Sequence, residues 1–341
     1  MRRVTVRFAN LDVEFTDRDR AIEQVIDWGE KGTWHPIVIY GPEGCGKSAL
    51  LKQVAAILRD LGYEVFYLNP LGYVFDADVS LPDIKRAFLE FVREALAENA
   101  LGRIAWAVFD FVNKVLSVRR GKIAVIADDV FQVIGVDKAA AYVKGLLNMI
   151  EHPHYNYENM VILVATSEGL SREEIGRHRW ADIMPMWNMP REGFEQLYGR
   201  IPGDKPPFGE VWKSTGGNPD KLAELYRNGW RVGDAVRKLM NDKYLTADII
   251  KKWKDWLNEA IEDPDKLWGR GAPEDLLRWL VGKNLIIYNM HYREQQFWVD
   301  QPPPERDQEL GVGRYIAWQT PLHREAVRQA LRGHLHEEDY S

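Results

Sequence analysis

Residues Gly41 to Ser48 read Gly-Pro-Glu-Gly-Cys-Gly-Lys-Ser, the full G-x-x-x-x-G-K-[ST] spacing of a phosphate-binding loop. The residue types suit that chemistry. Gly41, Gly44 and Gly46 open backbone conformations closed to residues with a Cβ. The stretch Gly41, Pro42, Glu43, Gly44, Cys45, Gly46, Lys47, Ser48 and Ala49 can then wrap a phosphate group, with every backbone N–H except that of Pro42, which has none, able to turn toward its oxygens, helped by the positive end of the helix that follows. Lys47 is expected to reach the β- and γ-phosphates, and the Ser48 hydroxyl to ligate Mg²⁺. The chain is therefore expected to bind a nucleoside triphosphate with Mg²⁺.

A second group lies 80 residues on. Ala124-Val125-Ile126-Ala127-Asp128-Asp129 is an apolar run ending in two acids. Asp128 is expected to hold the metal, directly or through water, and Asp129 to orient and polarise an attacking water. Thr166 and Ser167 end the next apolar run and would share the ligand-facing edge of a parallel sheet, where a hydroxyl can sense a γ-phosphate or place a water. Strand-end capping is the rival role for these two. Arg177, with Arg179 beside it, is the candidate for positive charge at the transition state, from its own chain or a neighbour's.

These residues need a scaffold, and the hydrophobic pattern supplies one. Solid apolar runs at Pro36–Tyr40, Tyr63–Asn69, Lys122–Asp128 and Met160–Thr166, with a weaker one at Asp182–Trp187, alternate with helical patterns. The helical stretches run from Asp17 to Trp28, from Ala49 to Leu58, from Leu81 to about Val118 and from about Lys138 to Ile150. That alternation predicts an α/β fold of the P-loop NTPase kind, a parallel sheet with helices on both faces. Beyond Pro190 the strand signal stops. Short helical segments follow, broken by Pro206-Pro207 and Gly216-Gly217-Asn218-Pro219. From about Leu245, helices mix with two strands, Leu285–Tyr288 and Arg314–Trp318, which suggests a winged helix. The expected division is a P-loop ATPase core at 1–189, a helical lid at 190–244, and a winged-helix domain and tail at 245–341.

Composition narrows the partners. At 341 residues with 45% hydrophobic and 28% charged content, the chain has the make-up of a soluble globular protein. No apolar stretch approaches the ~18 residues that span a bilayer, so no membrane partner is expected. A single cysteine, Cys45, rules out an internal disulfide framework and makes the cytoplasm the default location. The net charge of −6 lacks the basic excess of a dedicated DNA-binding protein, although local patches stay open. His152 and His154 lack further ligands at metal-binding spacing and are read as loop residues.

In chain order, Phe15-Thr16-Asp17-Arg18, the phosphate loop, Asp128-Asp129, Thr166-Ser167-Glu168, Gly176-Arg177 and Thr215-Gly216-Gly217-Asn218-Pro219 resemble the archaeal ATPase branch of the STAND class of P-loop NTPases, relatives of the AAA+ ATPases. The resemblance covers roughly Phe15 to Tyr226. It implies that Phe15 and Arg18 lie near the adenine, and that Gly217 and Pro219 belong to a helical lid touching the nucleotide. It also implies a C-terminal winged helix reoriented by ATP-to-ADP exchange. Where many relatives carry Asp-Glu at the acidic strand end, this chain has Asp-Asp, which points toward slow hydrolysis.

The resulting expectation is an ATP-binding and ATP-hydrolysing molecular switch. One alternative is a DNA-binding ATPase resembling the origin-recognition initiators. Another is a weakly hydrolysing, nucleotide-gated scaffold for a protein partner. Nucleotide-dependent self-association is compatible with all three. The helical stretch Glu274–Val281 is the candidate for DNA or protein contact.

Overall fold

The computed structural model describes residues 3–167, 169–269 and 271–338. Glu168, part of the strand-end reading, falls outside them, as do the last three residues of the tail. Ten strands form among the described residues: β1 (Thr5–Phe8), β2 (Leu11–Glu14), β3 (Ile37–Tyr40), β4 (Glu64–Asn69), β5 (Val74–Asp78), β6 (Lys122–Asp128), β7 (Asn159–Thr166), β8 (Asp182–Pro185), β9 (Ile286–Tyr288) and β10 (Ile316–Trp318). Residue contacts divide the chain into two compact units.

The first unit holds residues 3–4, 18–40 and 47–185 and carries a six-stranded sheet in the order β5-β4-β6-β7-β3-β8. Every neighbouring pair is parallel except β4 with β5. β3 is buried throughout, and β6 and β7 are buried beyond their first residues, so they read as unbroken apolar runs and not as alternating ones. The expected fifth strand is present at Asp182–Pro185, one strand over from the loop-bearing β3. The long helical stretch resolves into Pro82–Ala97 and Leu101–Val118, split at Asn99 in the left-handed region (φ 53°). Phe88, fully buried, joins both helices to the sheet through edge-on contacts with Phe66 and Phe111 at 5.7 and 5.2 Å between ring centres.

The antiparallel edge strand β5 departs from the expected all-parallel pattern. Its sequence Val-Phe-Asp-Ala-Asp has little apolar continuity because an edge strand is half solvated, and Arg59 ties both of its acids down, to Asp76 at 2.7 Å and to Asp78 at 2.8 Å.

The second unit holds residues 5–17, 41–46 and 186–338. It opens with the β1–β2 hairpin, whose Ala9 and Asn10 both take positive φ, the geometry of a two-residue turn that matches strand twist. Val13 of this hairpin packs with Phe194, Leu197, Val211 and Leu222 of the short helices that follow. A separate apolar core gathers Leu257, Leu276, Leu280, Ile316, Trp318 and Val327 around the antiparallel pair β9–β10. The stretch proposed for recognition is a helix at Glu274–Gly282 that commits Leu276 and Leu280 to this core.

Candidate active site: a phosphate loop and a buried acidic strand end

β3 ends at Tyr40 and the next helix begins at Lys47, so the six residues between them are the loop itself. Gly44 (φ 75°) and Gly46 (φ 102°) lie in the region that favours glycine, as the phosphate-loop reading requires. Cys45 is fully buried with its Sγ 3.8 Å from the Met186 carbonyl, which gives it a packing role.

In the first unit, Lys47, Ser48 and Asp128 come together. Lys47 opens the helix Lys47–Asp60 and is only 6% exposed. Asp128 closes β6 in register with Ala165 of β7 and is 1% exposed. Ser48 and Lys47 both lie close enough to the Asp128 carboxylate to favour its charged form. Two further partners come from β4: Asn69 Nδ2 donates to Asp128 Oδ2 at 2.7 Å, and the Tyr67 hydroxyl lies 3.4 Å from the same oxygen. Neither was visible in the sequence, because nothing in the β4 pattern shows which strand lies beside it.

Burial, and then the charge of neighbouring Asp129, push Asp128 up to about 6, against the opposing pull of Ser48, Lys47 and Tyr67. A buried carboxylate with surplus negative character is a site that gains by taking up a cation. One hydroxyl and one carboxylate, both hard oxygen donors, suit Mg²⁺, which completes its sphere with water and phosphate. The residues present therefore fit the ion.

Asp129 follows in the left-handed region (φ 52°), with its N–H bonded to the Ala165 carbonyl at 3.0 Å. That conformation turns the chain away from the strand direction at the second acid; aspartate tolerates it better than most residues. Thr166 is fully buried at the end of β7, paired with Tyr40, the last residue of β3. Ser167 is half-buried just beyond. Arg177 lies past the helix Gly169–Gly176, exposed, and pairs with Glu173 and Glu174 of that helix. Arg179 is exposed as well. Arg172, not singled out by sequence, covers the Tyr40 ring at 4.4 Å to its centre. Arg18 starts the helix Asp19–Lys31 in the left-handed region and is 2% exposed.

Loop residues 41–46 belong to the second unit and have their own partners there. Asn218 caps the helix Pro219–Arg227 by accepting from the Lys221 N–H at 3.1 Å, with Pro219 at the first helical position. The same Asn218 donates from Nδ2 to the Glu43 carbonyl at 2.9 Å, and the Asp220 N–H donates to the Gly44 carbonyl at 3.2 Å. Gly217 has φ 79°, and a Cβ there would collide with the Met189 carbonyl. The Gly-Gly-Asn-Pro turn is thus bonded to the phosphate loop. Phe15 is buried in this unit.

A glycine-bearing loop between a parallel strand and a helix, with an acid-ended strand in the same sheet, defines a P-loop nucleoside triphosphatase. Residues 15–225 match the model of a family described as an ATPase domain predominantly from Archaea, and the chain belongs to that family. No match was found among curated proteins. Of solved structures, the chain is similar to the Walker-type ATPase of Pyrococcus abyssi, at 14% identity and TM-score 0.44 over 96% of this chain and 98% of that one. It is also similar to the Aeropyrum pernix ORC1 protein in complex with DNA (13% identity, TM-score 0.40, covering 94% and 93%). A third is the AMPPCP-bound DnaA of Aquifex aeolicus (16%, TM-score 0.37, covering 70% and 71%). No helix among the described residues is long and apolar enough to cross a membrane.

Proposed function

We propose that this ATPase works as a slow switch, in which ATP binding and hydrolysis at the phosphate loop are read out by the C-terminal half of the chain. The observation that carries the catalytic part is the gathering of Ser48 and Lys47 about the buried carboxylate of Asp128. In this reading Gly41 to Ala49 wrap the phosphates, and Lys47 neutralises the β,γ-bridge. Ser48 and Asp128 hold Mg²⁺, which supplies charge stabilisation on the phosphoryl oxygens when bound. Asp129 orients the attacking water, and Thr166 and Ser167 monitor the γ-phosphate. Arg177, exposed on its helix, offers a guanidinium in cis or to a neighbouring copy. The left-handed turn at Asp129 supports its role, since it separates the second acid from the metal-holding first.

The switch reading takes residues 190–244 as the lid and 245–341 as a winged helix, and is supported by the bonds from Asn218 and Asp220 to Glu43 and Gly44. Phe15 and Arg18 are assigned to the adenine, Gly217 and Pro219 to the lid contact, and the chain to the cytoplasm. The test is Asp129→Asn: ATP should bind as in the parent while multiple-turnover phosphate release stops. Release at the parent rate would remove Asp129 from the mechanism.

DNA association is a second reading. It is favoured by the stacked Trp268–Tyr315 pair, 4.8 Å between ring centres and both partly exposed, with the Arg314 guanidinium over the Tyr315 ring. Duplex binding that weakens steeply with salt would support it, and salt-insensitive or absent binding would leave a protein partner as the output.

A further inference from the structure

The phosphate loop is gripped at its third residue by side chains from far along the chain. The Glu43 N–H donates to Gln319 Oε1 at 2.8 Å, its carbonyl accepts from Asn218 at 2.9 Å, and its carboxylate meets Lys243 Nζ at 2.9 Å. Asn188 closes the circuit: its Oδ1 accepts from Asn218 Nδ2 at 2.8 Å, and its own Nδ2 donates to the Gln319 carbonyl at 2.9 Å. Asn188, Asn218 and Gln319 are each buried to within a few per cent. All three groups of Glu43 that can make a polar contact are thereby engaged. Two of the partners, Lys243 and Gln319, lie outside the 15–225 segment that defines the family.

Such a grip constrains more than one peptide. Fixing both the N–H and the carbonyl of Glu43 sets the peptide planes on either side of it, and the next residue is Gly44, whose φ is free to follow. Gly44 and the residues after it carry amides expected to receive phosphate. Gln319 also has hydrogen-bonding capacity in reserve, because its buried Nε2 has no acceptor among the described residues. A buried amide donor left unmet is a standing cost to the fold, so the packing of Gln319 alone does not account for its place. The ion pair answers an electrostatic problem. Glu43 puts a negative charge directly before Gly44 and three residues before Gly46, in the loop that must receive a triphosphate, and Lys243, largely buried at the wall of a cleft of about 590 Å³, cancels it.

We propose that Gln319 and Lys243 are positioning residues of the nucleotide site: Gln319 holds the Glu43 peptide so that the loop amides are aimed before ATP arrives, and Lys243 neutralises the Glu43 carboxylate. This rests on the loop being the nucleotide site, as proposed above. It makes the C-terminal region a structural part of that site, so that nucleotide occupancy is felt directly at Gln319 and Lys243.

The experiment uses the full chain and ATP·Mg, with Kd from calorimetry and kcat and KM from steady-state phosphate release. Gln319→Met, of similar volume but without the acceptor, should raise Kd and KM about tenfold with kcat at saturation within about twofold, the pattern of lost preorganisation. Lys243→Met should raise Kd by about five- to tenfold, and adding Glu43→Gln to it should bring Kd back to within about twofold of the parent, since no uncompensated carboxylate is left. A parent that binds ATP alongside Gln319→Met and Lys243→Met variants that bind equally well would overturn the inference while sparing the proposed function. A parent that does not bind ATP would overturn both. If Gln319→Met fails to fold, the Glu43–Lys243 cycle still decides, because Glu43 is half exposed and additive effects of its two changes would refute the coupling.

Discussion

Replacing Asp128 with asparagine should stabilise the metal-free protein while destroying its activity, and the size of the gain follows from the site. The carboxylate is 1% exposed, and burial with the adjacent Asp129 charge raises its pKa to about 6. An unfolded aspartate titrates near 3.9, so the shift is about two pH units, or about 3 kcal/mol at ~1.4 kcal/mol per unit. The sign is set by the direction. A carboxyl whose folded pKa is raised favours the fold while it stays protonated, below the unfolded value. That advantage is lost as pH climbs through about 6. Above that pH the parent carries the full penalty, and an asparagine, which keeps one acceptor oxygen and takes no charge, does not. In urea, without nucleotide and with a chelator present, Asp128→Asn should therefore be more stable than the parent by up to about 3 kcal/mol at pH 8. At a slope of about 3 kcal/mol per molar urea, that is a midpoint shift of about 1 M. The gap should close toward zero at pH 4, where both side chains are neutral. A gap that does not change between pH 4 and pH 8, or a variant less stable than the parent at pH 8, would refute the claim that this site stores unfavourable charge for a cation to relieve.

Other expectations can be checked in parallel. Gly217→Ala should cost more than about 1 kcal/mol and lower the thermal midpoint, because alanine disfavours φ 79° and its Cβ meets the Met189 carbonyl; an unchanged melt would contradict the turn geometry. Phe88→Ala should cost about 3–5 kcal/mol in urea unfolding, since the ring is fully buried between Phe66 and Phe111. Arg177→Ala should lower kcat about 100-fold if its guanidinium stabilises the transition state. Measured against protein concentration, a loss that grows as the protein is concentrated assigns the arginine to a neighbouring copy, and turnover equal to the parent's at every concentration removes it from catalysis.

The features that were legible in the sequence are those written in contiguous residues. Gly41 to Ser48 carry their own spacing, and buried strands such as Ile123–Ala127 are apolar without interruption because both faces of the sheet are covered. The two short strands Ile286–Tyr288 and Ile316–Trp318 pair as their patterns suggested. What escaped was decided by neighbours distant in sequence. β5 is an edge strand with acids paired to Arg59, so it lacks the apolar run that identifies an interior strand. Asn69 reads as a strand-ending polar residue until β4 is placed beside β6, when its amide reaches Asp128. Asn218 advertises a helix cap through the following proline, yet its second bond, to Glu43, crosses 175 positions. Gln319 carries no local signal for a partner 276 residues earlier.

Calorimetric titration of the full chain with ATP·Mg, beside the Lys47→Ala variant, tests the central claim most directly. The account predicts saturable binding at one site per chain for the parent and none for the variant. Absence of heat from the parent at millimolar ATP·Mg, or equal binding by the two proteins, would contradict it.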